Sequence, residues 1–162
     1  VPFVVSWKNH VKPGVFDKPA LQFDFTATAL EIAGADTKNL DGVNLLPFLS
    51  GAKTTAPHDV LYWRFGEQMA IRIGDYKLVR YDSNVDTRSG KRNQPVAGPK
   101  LYNLASDIGE TKDLFAAMPD KAKELQSKWN AWNATLMKPL WGFGKSDSDG
   151  DPKPAKAKKK KK

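Results

Sequence analysis

Residues 60–81, VLYWRFGEQMAIRIGDYKLVRY, constrain the fold more than any other stretch. Three runs of alternating character are separated by Gly66-Glu67-Gln68 and by Gly74-Asp75. Alternation puts successive side chains on opposite faces of a strand. A Gly-X pair between two such runs fits a type II′ hairpin turn, because glycine accepts positive φ at the first turn position. The stretch therefore reads as three short antiparallel strands. A two-residue turn at 74–75 pairs Ile73 with Tyr76, Arg72 with Lys77, Ile71 with Leu78 and Ala70 with Val79. Ile71, Ile73, Tyr76 and Leu78 then share a face that should be buried. Arg72 and Lys77 stand opposite each other on the other face, which is unfavourable unless an opposite charge intervenes. A local carboxylate, solvent or an anionic ligand would each answer that repulsion.

The chain has 162 residues, enough for one domain with a real core. It has no cysteine, which excludes a disulfide framework, a thiolate zinc site and a cysteine nucleophile within it. No apolar run reaches the length of a membrane span. The net charge of +8 is uneven: residues 145–162 hold eight lysines and three aspartates, a net of +5. The body is mildly basic, so the charge is mostly a tail property and does not describe a specific nucleic-acid-binding domain. That tail has no periodicity and is expected to be disordered, either as a solvated segment or as a weak polyanion contact.

Residues 1–7 are apolar on both faces, as in a buried strand covered by helices. Residues 21–33 read as a helix with Leu21, Phe25, Ala29, Ile32 and Ala33 on its apolar stripe and Gly34 closing it. A short helix is expected over residues 45–49, ended by Gly51. Residues 82–100 form a polar loop carrying Arg88, Lys91 and Arg92, and residues 101–104 a fourth strand. Pro119 suits the first position of a long helix, which Pro139 should end. Ala122, Leu125, Trp129, Trp132 and Leu136 recur at spacings of three and four, one stripe for packing on the sheet. A tryptophan pair can also stack on sugar rings.

Catalytic motifs are sparse. The two histidines are His10, in a turn, and His58, beside Asp59 at the start of the first hairpin strand. No metal-ligand spacing, phosphate loop or dinucleotide pattern occurs, and no carboxylate pair reads as an acid–base couple.

Several segments, in order, resemble the C-terminal part of the sulfatase family. They are residues 1–14, VPFVVSWKNHVKPG; residues 24–34, DFTATALEIAG; residues 40–51, LDGVNLLPFLSG; LYWR followed by AIRIGDYKL at 61–78; and LYNLASDIGETKDL at 101–114. Lys8, Ala27 and Ile108 stand where the family usually has proline, and Tyr76 where it has tryptophan. The resemblance covers roughly residues 1–141 and implies an α+β fold. A four-stranded antiparallel sheet is packed by a long C-terminal helix, joined to the last strand and helix of a truncated alkaline-phosphatase-like α/β domain. It implies three parts: 1–51, the end of the catalytic α/β domain; 52–144, the C-terminal subdomain; and 145–162, the lysine-rich tail.

By the same resemblance the parent protein is expected to hydrolyse sulfate esters, with sulfated carbohydrate as a candidate substrate, using a formylglycine nucleophile and a calcium ion. The Cys/Ser-x-Pro-Ser-Arg motif that yields formylglycine is absent from this chain. The calcium ligands fall upstream of the matched region. The segment alone is therefore expected to be inactive and to bind no metal, with a periplasmic or secreted parent. His58, Trp63 and Arg64 are the residues expected to line the substrate cleft. The alternative is a non-catalytic polyanion-binding module using the tail and residues 88–92.

Overall fold

A computed structural model describes residues 3–66, 68–81 and 96–137. Val1, Pro2, the basic loop at 88–92 and the tail at 145–162 lie outside the described residues. The chain divides into two compact units, Val1–Leu61 and Tyr62–Lys162.

The first unit is built around α1 (Gln22–Ile32) and α2 (Leu46–Leu49). Asp24 opens α1: its Oδ2 accepts the Leu21 backbone N–H at 2.7 Å, satisfying a donor the helix cannot. Gly34, at φ +75°, closes it. The Gly34 N–H reaches the Glu31 carbonyl and the Ala35 N–H the Leu30 carbonyl, the paired bonds of a Schellman motif. The helix turns inward through Asp24 and Ala27, not through the expected apolar stripe. Phe25 is 55% exposed and Ile32 47%. The stripe was misphased because the inward face is chosen by polar bonds to residues 43–45, described below, rather than by apolar burial. A second expectation also fails. Residues 3–7 form no strand, and Phe3 and Val4 are exposed. A strand needs a neighbour for its backbone groups, and no described strand of this unit lies beside them. Phe3 instead sets its ring edge-on to Phe25, at 5.8 Å.

The second unit carries a four-stranded sheet in the order β1 (Val60–Phe65), β2 (Gln68–Ile73), β3 (Tyr76–Arg80), β4 (Lys100–Asn103), with the first two residues of β1 at the end of the first unit. The β2–β3 register is the one the turn dictates, Ile73 with Tyr76 through Ala70 with Val79. Gly74 has φ +56° and Asp75 is not among the positive-φ residues, as a II′ turn requires. Leu78 also pairs with Leu101 of the antiparallel β4. Ile71, Leu78 and Leu101 make one cross-strand row, and all three are fully buried.

Helix α3 (Pro119–Ala134) covers that row, with Pro119 in its first turn and Leu125 fully buried. Trp129 is buried and donates its indole N–H to the Trp63 carbonyl at 3.1 Å. The helix stops at Ala134, before Pro139, which lies outside the described residues. Its last turn has no basic residue of its own. Arg64 of β1 supplies one, donating to Asn133 Oδ1 at 2.9 Å and to the Met137 carbonyl at 3.1 Å, where cationic charge complements the helix dipole.

Candidate functional site

The residues singled out from sequence fall in different settings. His58 belongs to the first unit. Its Nε2 lies 2.8 Å from both carboxylate oxygens of Asp24, whose side chain is wholly buried. Asp24 Oδ1 also accepts the Val43 N–H at 3.0 Å, and Oδ2 the Leu21 N–H. Thr28, one turn along α1, donates its hydroxyl to the Asp24 carbonyl and accepts the Leu45 N–H at 2.8 Å. Gly42 sits where a Cβ would come within 2.4 Å of the Phe23 carbonyl oxygen. These contacts give DFTAT, LDGVNL and His58 a common physical meaning. One buried carboxylate ties the helix start, the 43–45 backbone and the imidazole together, and glycine lets the strands of chain approach. Both Asp24 oxygens are filled by these donors, so the carboxylate is a structural hub.

Trp63 and Arg64 are neighbours on β1, so their side chains leave opposite faces of the sheet. Arg64 and Tyr62 face α3: Arg64 through Asn133, Tyr62 by stacking on Trp132 with ring centroids 4.7 Å apart. Trp63 points to the other face and is 41% exposed. The two therefore cannot meet a ligand on the same face, and Arg64 is already spent as a cap. The opposed pair Arg72 and Lys77 is resolved locally. Lys77 Nζ pairs with Glu110, and Arg72 Nε donates to the Gly74 carbonyl at 2.9 Å. The local carboxylate thus answers the Lys77 charge, while Arg72 is met by a backbone carbonyl.

His10 stacks on Trp7 at 3.9 Å within a turn. Sequence reasoning missed Asp24 as His58's partner. The 34-residue separation hides the pair, and only Asp24 of the two lies within a family-like segment, DFTATALEIAG.

The 101–114 segment carries the clearest electrostatic shifts. Backbone N–H groups of Lys112 and Thr111 at 2.8–3.0 Å hold the Asp107 carboxyl below the usual aspartate range. Burial pushes the Tyr102 phenol up, helped by the charges of Asp113, Glu110 and Asp107. Asp113 Oδ1 accepts the Leu101 N–H and so occupies part of the free edge of β4. Among the described residues no group of three or more His, Asp or Glu converges as a metal site.

No family model matches the chain. Bovine arylsulfatase A is 30% identical over 139 residues, which cover 76% of this chain and 27% of that protein. An Escherichia coli protein named uncharacterized sulfatase YdeN is 40% identical over 153 residues, covering 77% of this chain and 27% of its own length. The chain thus spans about a quarter of the curated relatives it matches. Among solved structures, Ps i-CgsB in complex with k-i-k-neocarrahexaose superposes with a TM-score of 0.63 at 23% identity, over 88% of this chain and 30% of that one. A structure from work on glycosaminoglycan metabolism in Bacteroides thetaiotaomicron gives 0.60 at 20% identity, over 79% of this chain and 28% of that one. At these identities the superpositions establish a shared fold.

Proposed function

Because the chain belongs to the sulfatase family and matches its C-terminal part, we propose that it serves a sulfuric-ester hydrolase whose nucleophile and metal ligands lie outside these 162 residues. The observation that carries this is the coverage, a quarter of relatives that are themselves named sulfatases. Two features support it. No Cys/Ser-x-Pro-Ser-Arg occurs in the sequence. The outward face of α1, with Phe25 and Ile32 exposed beside Phe3 and Val4, is apolar in the way a surface covered by further protein is. On this reading residues 1–51 complete a catalytic α/β domain and residues 52–144 form a subdomain beside the substrate cleft.

Calcium does not fit the residues in hand. Asp24 already accepts from three donors, and no group of three acidic or histidine side chains converges among the described residues. We place the calcium ligands, like the formylglycine, in the remainder of the parent protein, which we expect to be periplasmic or secreted. Sulfated carbohydrate is the substrate class we favour, in keeping with the similarly folded protein solved with k-i-k-neocarrahexaose. Of the three expected cleft residues, Trp63 alone keeps an exposed side chain not committed to a neighbour.

The purified 162-residue chain should release no sulfate from an aryl sulfate such as 4-nitrocatechol sulfate, whereas the parent enzyme should. Turnover by the chain alone would overturn the division of labour. The rival, a polyanion-binding module, predicts heparin retention that survives deletion of residues 145–162. The sulfatase reading predicts retention that falls with the tail.

A further inference from the structure

The sheet face turned away from α3 is unusually aromatic. Which residues lie there follows from the contacts of the opposite face. Tyr62 and Arg64 meet Trp132 and Asn133, Met69 Sδ is met by Gln126, and Tyr76 lies under the Lys121 ammonium. Strand alternation then sends Trp63 and Phe65 of β1, Gln68, Ala70 and Arg72 of β2, and Tyr81, one residue past β3, to the far side. The β2–β3 register continues Tyr81 to a place beside Gln68. Trp63, Phe65 and Tyr81 are 41, 57 and 59% exposed, while Gln68 and Ala70 between them are buried.

Three large rings thus flank a low central strand. With about 3.3 Å per residue along a strand and about 4.8 Å between strands, Trp63 and Phe65 stand about 7 Å apart and Tyr81 about 10–12 Å across from them, roughly the span of two linked pyranose rings. Aromatic faces receive the C–H-rich side of a pyranose. The indole N–H of Trp63 and the hydroxyl of Tyr81, which have no protein partner among the described residues, meet its hydroxyl rim. Arg72 adds a cation on the same face. Its guanidinium is held only by the Gly74 carbonyl, so it has no carboxylate to neutralise it among the described residues. An aromatic surface beside a guanidinium that no carboxylate of the described residues pairs with matches a ring bearing a sulfate.

We propose that Trp63, Phe65 and Tyr81 form a docking platform for the sugar rings of a sulfated oligosaccharide, with Arg72 meeting a sulfate. This rests on the sulfatase reading for its substrate class, and it adds the surface that holds the chain.

The test titrates the 162-residue chain with a sulfated galactan hexasaccharide and its desulfated counterpart, following the indole N–H resonances. Sodium chloride at about 0.5 M confines charge effects to a few ångströms and suppresses the lysine tail. Both sugars should perturb the Trp63 resonance. Trp63→Ala and Tyr81→Ala should weaken both by about tenfold, the scale of one lost stacking contact, with unchanged thermal melts. Arg72→Gln should weaken only the sulfated sugar. Affinities unaltered by the aromatic substitutions, or binding abolished simply by deleting residues 145–162, would overturn the platform. Sulfate release by the parent enzyme is a separate measurement. An inactive parent with an intact Trp63 response would refute the sulfatase reading alone, and an active parent with no such response would refute the platform alone.

Discussion

Replacing Asp24 with alanine removes one acceptor from three donors, the Leu21 and Val43 N–H groups and the His58 imidazole. Breaking a buried pair by removing one partner costs about 3–5 kcal/mol, and the orphaned backbone donors keep the loss near the middle of that range. We expect about 4 kcal/mol for Asp24→Ala. His58→Ala leaves the buried carboxylate with its two backbone donors and should cost about 3 kcal/mol. The double variant should cost about 5 kcal/mol, because an imidazole without its carboxylate retains only packing. The coupling is then about 2 kcal/mol, inside the range for residues in direct contact. Hydrogen exchange provides a readout that does not assume one cooperative transition for two units. The Leu45 amide is the probe, since it bonds to Thr28 Oγ1 and not to Asp24 itself. A loss of about 4 kcal/mol lowers its protection by nearly a thousandfold in Asp24→Ala. A change below about tenfold, or single effects that simply add, would refute Asp24 as the hub.

Gly42→Ala forces a Cβ against the Phe23 carbonyl, which is backbone and cannot rotate away. A loss of about 1–3 kcal/mol is expected, read as faster exchange across α1. Arg64→Ala should fray the end of α3, seen as faster exchange at the Thr135 and Leu136 amides with the Ile71–Leu78 row still protected. Asp107 has a folded carboxyl lowered by backbone N–H groups. Its contribution is therefore present above the ordinary aspartate range near 3.9 and is lost as pH falls through the lower folded value. The Thr111 and Lys112 amide shifts should titrate at that lower pH, and Asp107→Asn should abolish the titration.

The hairpin at 74–75 was legible to the residue. Alternation, a Gly-X pair and two polar positions leave one register, and no distant contact competes with it. Pro119 opening α3 and the Ala122–Leu125–Trp129 stripe were legible for the same reason: helix period and helix start are local. The α1 stripe was not. Phe25, Ala29 and Ile32 have helical spacing, but spacing alone does not say which face finds a partner. The partner here is a polar one 19 residues away, the Val43 N–H bonded to Asp24. The apolar run at residues 3–7 failed as a strand because strand formation is a property of pairs, and its own residues cannot supply the neighbour.

The candidate site divides the same way. Sequence alone marked His58, Trp63 and Arg64 as polar or aromatic residues at one strand entry, and the ordered motifs pointed to a sulfatase. It could not assign them to faces. Adjacent strand residues alternate, so Trp63 and Arg64 separate once the position of α3 is known, and the Arg64 partner on α3, Asn133, lies 69 residues away along the chain. Local rules thus determined the hairpin, its turn and the start of α3, and the ordered motifs pointed to the family. Long-range geometry alone decided that Asp24 holds His58, that Arg64 caps a helix, and that Trp63, Phe65 and Tyr81 lie on the sheet face away from α3. Propensity and periodicity act over a few residues, whereas a buried charge or an exposed ring is defined by whatever the rest of the chain brings beside it.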